Sequence, residues 1–197
     1  MDLLLSRLSS SFHLSRHPCT ATDVLLRVVE TCSDMLTDRG CDSVSAPSDV
    51  DHLSRTVDEA DSPVLVGHGV PLTHVWFHAE ERVGVKHLRS ILEASAEADR
   101  VIVVSQEGPT SFTKKEAAGS RAQFFCYRQL VANVTRHRLV PLHSKADSSS
   151  HPEKESYPRI SSTDPVCLYY DFCKGDVVHV RRVFGSCRPY DHFRTVV

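Results

Sequence analysis

Histidine and cysteine are the residue types in this sequence most able to bind a metal ion. The chain contains twelve histidines, and His74 and His78 are four positions apart. Their neighbours favour a strand, in which this spacing puts both side chains on one face but about 13 Å apart, too far to share an ion. The seven cysteines include no Cys-x-x-Cys pair. We therefore assign no metal ligands and expect reduced thiols.

Nucleophilic catalysis and nucleotide binding have no support in the sequence. It has no Gly-x-Ser-x-Gly motif, and no glycine-rich loop opens a helix after a strand. A metal-dependent nuclease would need an acid and a Glu-x-Lys-type pair on neighbouring strands to hold Mg²⁺. The strand expected at residues 101–104 has no acid, and Gln106-Glu107-Gly108 lacks the lysine. We expect no catalytic residue, no cofactor and no small-molecule substrate, and keep the nuclease as a weak alternative.

A short segment after that strand carries groups that can contact phosphates. Thr110 and Ser111 supply hydroxyls, and Lys114 and Lys115 are adjacent lysines. Such groups hold a nucleic-acid backbone without reading its bases. We expect these four residues to contact DNA, the alternative being a solvated helix start. Because the net charge of the chain is −2, the DNA contact should be local and assisted by partners.

Hydrophobic periodicity predicts the elements that position these residues. The first part of the chain has helical spacing over residues 22–39 and 85–98 and strand-like runs at 64–66, 75–77, 101–104 and 123–127. Residues 41–62 are acidic and serine-rich, which indicates a loop. Thr113 is expected to cap a short helical turn that contains the lysine pair. A helix followed by a buried strand indicates an α/β layer.

The last part of the chain differs in charge and composition. Residues 1–132 carry a net charge of −5 and residues 133–197 a net charge of +3. Residues 144–155 are polar and predict a flexible loop, Asp164-Pro165 predicts a helix start, and residues 177–183 predict a strand. We therefore expect an α/β (α+β) protein with domains at residues 1–130 and 131–197, and no membrane-spanning segment. For residues 1–20 we expect disorder or an ordinary helix, with a mitochondrial transit peptide as the alternative.

The order of residues near the C-terminus carries a specific resemblance. Residues 133–143 resemble the Asn-Ile-Thr-x-His-x-Leu-Val-Pro-x-His segment of the fifth common subunit of nuclear DNA-directed RNA polymerases. Further similar segments follow in that family's order: Pro158-Arg159-Ile160, Asp164-Pro165-Val166, Lys174-Gly175-Asp176, and Tyr190, Phe193 and Arg194. Thinner matches occur at Asp38-Arg39-Gly40, Val83-Gly84-Val85-Lys86 and Val103-Val104-Ser105-Gln106. The chain is identified as a divergent member of this family.

The resemblance implies a non-catalytic polymerase subunit located in the nucleus. In the family, an N-terminal jaw domain with a mixed sheet, related in fold to restriction nucleases but without their active site, faces downstream double-stranded DNA. A small C-terminal α/β assembly domain, which resembles a small subunit of archaeal RNA polymerase, binds the largest subunit. The implied partners are therefore the largest and other polymerase subunits and the downstream duplex. The motifs imply partner-binding roles for His137, Pro141, His143, Arg159, Asp164, Pro165, Lys174, Gly175 and Arg194.

Several departures from the family pattern bear on which polymerase contains the chain. Residues 144–157 are shorter than the family's charged segment, Lys174 and Gly175 lack the arginine usually between them, and residues 184–186 replace the family's Ser-Glu-Thr. These changes favour a copy dedicated to one class, and we expect RNA polymerase I and the nucleolus. A polymerase-free adaptor or transcription-factor-binding module with the same fold is the alternative.

Overall fold

The structure is a computed structural model that describes residues 21–47, 62–183 and 188–197. The chain divides into two compact units, residues 1–132 (unit 1) and residues 133–197 (unit 2). The expectations for residues 1–20 and for most of the loop at 41–62 fall outside the described residues. Within the described ranges, no helix has both the length and the apolar content that crossing a membrane requires.

Helix α1, Ala21–Asp38, is the first described element of unit 1 and confirms the predicted helix. It is amphipathic, and its apolar stripe repeats at helical spacing and lies against the core. The buried side chains are Val24, Leu25, Val28, Thr31, Cys32, Met35 and Leu36. Gly40 ends the helical segment with φ of +95°, a left-handed conformation that glycine adopts without strain.

Unit 1 contains a five-stranded sheet in which the strands lie in sequence order. The strands are β1 Ser43–Ser45, β2 Leu65–His68, β3 Thr73–Phe77, β4 Arg100–Ser105 and β5 Ala122–Cys126. β1, β2 and β3 pair antiparallel, whereas β3, β4 and β5 pair parallel. Parallel neighbours need crossover connections, which contain helices α2 (Val85–Ala94) and α3 (Ser111–Ala117). A short helix, α4 (Tyr127–Leu130), follows β5. This mixed sheet with helical crossovers confirms the α/β (α+β) class.

The edge of this sheet differs from the sequence prediction. The predicted loop over residues 41–62 is wrong for Ser43–Ser45, which pair with β2 and are too short to show an alternating pattern. Gly67, one residue past the predicted run at 64–66, lies inside β2. A Cβ atom at Gly67 would stand 2.7 Å from the Cys41 sulfur and 3.3 Å from Leu36. Glycine is therefore required there because α1 and the segment after it approach the backbone of β2 closely.

Helix α2 ends four residues earlier than predicted, at Ala94. The Ser95 hydroxyl is buried and accepts a 2.8 Å hydrogen bond from Trp76 Nε1. The Arg121 guanidinium donates to the carbonyl oxygens of Leu92, Ser95 and Ala96 at 2.8 to 3.2 Å. The last carbonyls of a helix have no N–H partner within the helix. Because the Arg121 guanidinium supplies hydrogen-bond donors to them, the helix can end before the predicted position.

The described part of unit 2 contains a four-stranded sheet and one α-helix. The elements are β6 Leu142–Ala146, β7 Arg159–Ile160, α5 Pro165–Tyr170, β8 Val177–Arg182 and β9 Tyr190–Val196. β8 pairs antiparallel with both β6 and β9, and β7 pairs parallel with β9. Ile160, Cys167, Phe172, Val178, Val180 and Val196 form its buried core. The predicted strand at 177–183 is confirmed as β8.

The polar loop expected at residues 144–155 begins later than predicted. Residues 144–146 belong to β6, where they pair with Val177 to His179 of β8. Lys145 also forms a 2.9 Å ion pair with Asp176. Backbone pairing and this ion pair hold the segment in place. Its side chains are polar because it lies at the edge of the sheet. Short 3₁₀ turns at Ser148–Ser150 and Lys154–Ser156 follow.

Candidate functional site

The expected DNA-contact residues lie on or next to α3, which follows β4 after Gly108. Thr110 is the N-cap of α3, and its hydroxyl oxygen accepts from the Thr113 backbone N–H at 3.2 Å. The prediction that Thr113 caps this helix is therefore wrong. Thr113 is buried, and its hydroxyl donates to the Val83 carbonyl at 2.8 Å, which ties α3 to the segment before α2.

The hydroxyl proton of Thr110 is used inside the protein. The hydroxyl oxygens of Thr110 and Thr113 are 2.9 Å apart. Because Thr113 donates its proton to Val83, Thr110 must be the donor of this second bond. Thr110 consequently has no proton to offer a phosphate, and its role is that of a helix cap.

Ser111, Lys114 and Lys115 remain exposed on one short helix. The two lysines lie in its last turn, where their positive charge interacts favourably with the negative end of the helix dipole. Glu116 follows them but forms a 2.6 Å ion pair with Arg89 of α2, so part of its charge is already neutralised. Phe112, between the serine and the lysines, is a large exposed aromatic side chain that sequence reasoning missed. A basic patch with an exposed aromatic ring suits contact with a partner or a nucleic-acid backbone.

The nuclease alternative would require Glu107 as a metal ligand. Its carboxylate instead accepts two hydrogen bonds from Arg82, at 2.8 and 3.2 Å. These bonds and the positive charge of Arg82 hold the pKa of Glu107 below its ordinary value. Strand β4 beside it presents buried Val101, Ile102, Val103 and Val104. The carboxylate and lysine that such a metal site needs are not brought together at this position.

Several of the expected partner-binding residues gather around His143 in unit 2. His143 Nδ1 donates to the Pro141 carbonyl at 2.7 Å. Burial lowers the pKa of His143, the Asp164 carboxylate opposes that effect, and the Arg194 guanidinium adds to it. Arg194 also donates to the Arg159 carbonyl at 3.4 Å, and Arg159 pairs with Thr195 in the sheet. Pro141, His143, Arg159, Asp164 and Arg194 thus form one connected neighbourhood.

Asp164 and Pro165 start helix α5 as the sequence predicts. The Asp164 carboxylate accepts from the Val166 backbone N–H at 2.9 Å, and proline occupies the first helical turn, where its missing N–H costs nothing. Asp164 therefore has a structural role as a cap, and Pro165 is exposed. The negative charge of the same carboxylate also raises the pKa of His143, against the larger effect of burial.

Lys174 and Gly175 occupy the turn between α5 and β8. Both residues are exposed, and Gly175 has φ of +89°, which favours glycine. Its N–H donates to the Val196 carbonyl at 2.9 Å, so the turn is held against the end of β9. Lys174 is presented to solvent on this fixed turn.

His137 lies at a different place, near a cleft at the far end of β8. The His137 ring accepts from the Leu139 backbone N–H at 3.2 Å. The cleft has a volume of about 130 Å³ and combines apolar and basic side chains. Its lining includes Leu139, Pro141, Leu142, Val183, Arg181 and Arg182.

Leu139, Leu142 and Val183 are among the exposed large apolar side chains of the chain, which is unusual for three residues of one cleft. Sequence reasoning missed all three. Residues 142 and 181 come together only through the pairing of β6 with β8, which the sequence alone does not reveal.

Comparison with known proteins shows which family the chain resembles. The family model for the C-terminal domain of RNA polymerase Rpb5 matches residues 132–196. A Caenorhabditis elegans protein named DNA-directed RNA polymerases I, II, and III subunit RPABC1 is 30% identical over 156 residues, which cover 70% of this chain and 74% of that protein. The chain belongs to the RPABC1 (Rpb5) family.

Other members agree over different lengths. The RPABC1 subunit of Caenorhabditis briggsae is 28% identical over 204 residues, covering 88% of this chain and 95% of that protein. The Dictyostelium discoideum subunit is 30% identical over 140 residues, covering 63% of this chain and 71% of that protein. The Rpb5 C-terminal match contains the neighbourhood around His143, the Lys174-Gly175 turn and the cleft, whereas α3 lies outside it.

Proposed function

We propose that this chain is a structural, non-catalytic subunit of a nuclear DNA-directed RNA polymerase. Membership of the RPABC1 family carries the proposal, because relatives that match most of the chain are named as subunits of RNA polymerases I, II and III. In this role the assembly domain docks on the largest subunit, and the N-terminal domain forms part of the lower jaw around downstream DNA. Polymerisation chemistry belongs to other subunits.

The cleft in unit 2 supports a docking role for the assembly domain. Leu139, Leu142 and Val183 are exposed in the isolated chain, and burying them against another subunit would remove apolar surface from water. Arg181 and Arg182 line the same cleft and can pair with acidic groups at the rim of an interface. An apolar centre with charged neighbours is the usual composition of a protein interface. The occupant we propose is the largest polymerase subunit.

The exposed residues of α3 support a jaw role for unit 1. Ser111, Lys114 and Lys115 can contact phosphates of the downstream duplex without reading sequence. We do not include Thr110 in this contact, because its hydroxyl proton is donated to the Thr113 hydroxyl oxygen. With a net charge of −2 on the whole chain, such a contact would form only when the polymerase already holds the duplex nearby.

The departures from the family pattern support dedication to RNA polymerase I, and therefore a nucleolar location. Lys174 and Gly175 are adjacent where the family has an intervening arginine, and this turn is exposed on unit 2. A changed surface at a docking domain would suit one polymerase class better than a shared position in three.

Affinity purification tests the subunit assignment. The tagged full chain is recovered from nuclear extract, washed with increasing salt, and its partners are identified by mass spectrometry. A stoichiometric subunit should retain the largest subunit at high salt, whereas an adaptor held by rim charges should dissociate. A variant ending at Ala132, the last residue of unit 1, should retain none.

Recovery of the largest subunit of polymerase I alone would support the dedicated copy, and recovery of all three largest subunits would contradict it. Full assembly by the variant that ends at Ala132 would contradict docking through unit 2.

Charge reversal on α3 tests the jaw contact separately. Lys114→Glu with Lys115→Glu should leave assembly intact but weaken retention of downstream duplex by the polymerase. The log–log salt dependence should flatten by about 0.9 for each phosphate that the variant no longer neutralises. Lys86→Glu, at an exposed lysine of α2, is the matched control. An unchanged slope in the double variant would remove α3 from the DNA-binding surface.

A further inference from the structure

Three metal-ligating side chains converge at the end of β3 in unit 1. They are His78, Glu80 and His87, and one ligand atom from each lies within 4.8 Å of the other two. The Glu80 carboxylate is central, 3.7 Å from His78 Nε2 and 3.9 Å from His87 Nδ1. We propose that these residues form a binding site for a divalent transition-metal ion, specifically Zn²⁺.

The fold fixes His78 as the anchor of this group. The side chain of His78 is only 7% exposed, whereas those of Glu80 and His87 are 57% and 50% exposed. Its backbone N–H donates to the Val104 carbonyl at 2.8 Å, and its carbonyl accepts from the buried Tyr127 hydroxyl at 3.4 Å. One ligand is therefore held by the sheet, and the other two can adjust to an ion.

His87 reaches the group because α2 starts nearby. It lies in the first turn of α2, after the N-cap Gly84, and its ring centroid is 4.8 Å from that of His78. Val83 fixes the start of this helix, since its N–H donates to Gly108 and its carbonyl accepts from Thr110 and Thr113. The segment between the two histidines is thus secured at both ends.

The distances suit a small ion after modest adjustment. Ligands about 2.1 Å from a tetrahedral zinc ion are roughly 3.4 Å apart. The two Glu80 separations, 3.7 and 3.9 Å, exceed this value by a few tenths of an ångström. The ligand atoms of the group are bounded by 4.8 Å, so the two imidazole nitrogens must approach each other by up to about 1.4 Å. Rotation of the half-exposed Glu80 and His87 side chains can close such gaps, because neither is packed in the core.

The donor set favours zinc and other first-row transition-metal ions over Mg²⁺ and Ca²⁺. Imidazole nitrogen suits zinc and its neighbours in the first transition row, whereas Mg²⁺ and Ca²⁺ prefer oxygen ligands throughout. Two neutral imidazoles and one carboxylate leave a single negative charge to meet the ion. The neighbouring cation Arg82 is paired with Glu107 at 2.8 Å, which reduces its repulsion. Three protein ligands leave a fourth position for water or for a side chain from another subunit.

This site goes beyond the subunit role, because a zinc ion would join the end of β3 to the start of α2 whether or not the chain is assembled. Sequence spacing could not reveal it. His78 and His87 are nine positions apart and are brought together by a strand end and a helix start, while the pair weighed from spacing, His74 and His78, is not the pair that converges.

Zinc titration of the full chain under reducing conditions tests the proposal. Binding is measured by calorimetry with Zn²⁺ alone, and the ligands are identified by X-ray absorption of the 1:1 complex. His87→Ala and Glu80→Gln should each weaken binding by at least about tenfold, since loss of even the groups that orient ligands costs about 10–100-fold. His68→Ala, which removes another exposed histidine of unit 1, should bind zinc as wild type does.

The absorption spectrum should show nitrogen and oxygen ligands with an imidazole contribution and no sulfur. Sulfur ligands would assign the zinc to cysteines instead and overturn the proposal. Equal affinity in wild type, His87→Ala and Glu80→Gln, with circular dichroism showing all three folded, would also overturn it.

Discussion

Leu142 provides a sharp test of docking through the cleft of unit 2. The residue is 65% exposed in the isolated chain. Fully burying a leucine side chain contributes about 1.5–3 kcal/mol, so covering the exposed part would contribute about 1–2 kcal/mol to assembly. Leu142→Ser should therefore raise the Kd for the largest subunit about five- to thirtyfold. Because the removed surface is already in water, the free energy of unfolding should change by less than about 0.5 kcal/mol.

The assay compares purified variants on polymerase from which this subunit has been removed, with binding followed by interferometry. Val70→Ser is the matched control, because Val70 is 93% exposed but lies in unit 1. It should bind as wild type does. If Leu142→Ser is folded and binds with the affinity of wild type, then the cleft is not part of the interface and the reasoning from exposed apolar surface fails.

Three further predictions concern local interactions. Asp164→Ala removes the acceptor for the Val166 N–H and should lower the free energy of unfolding by about 1 kcal/mol in a urea titration, whereas Asp164→Asn should retain most of it. Ser95→Ala leaves the buried Trp76 Nε1–H without its acceptor and should cost about 1–3 kcal/mol, followed by tryptophan fluorescence; a neutral result would refute this role. Burial lowers the pKa of His143 below 6.5 in the folded chain. As pH falls, the unfolded chain therefore takes up the His143 proton before the folded chain does. The stability that neutral His143 contributes is present above about pH 6.5 and is lost as pH falls towards the folded pKa. His143→Gln should flatten the fall in Tm between about pH 7 and about pH 5, and an unaltered profile would exclude His143.

Features set by neighbouring residues could be predicted from the sequence. Three such features are confirmed: the apolar stripe of α1, the apolar run of β4 and the cap at Asp164. Each depends on side chains only a few positions apart in the sequence. The family resemblance, which rests on residue order, is confirmed as well.

Features set by distant pairing could not be predicted. β1 becomes a strand because β2 supplies hydrogen bonds more than twenty positions away. The sequence does not identify Thr110 as the cap, because the competing role of Thr113, a bond to Val83, is visible only in three dimensions. The cleft and the convergence of His78 with His87 depend in the same way on contacts between separate elements.

The Arg121 guanidinium has a consequence for how unit 1 opens. It lies just before β5 and donates to three carbonyls at the end of α2, more than twenty residues earlier in the chain. Fraying of the last turn of α2 therefore requires this guanidinium to release its acceptors. Cooperative units in proteins are defined by interactions that must break together. We therefore expect the end of α2 and the entry to β5 to open together, so that their amide protons exchange with solvent deuterium through a shared opening rather than by independent fraying.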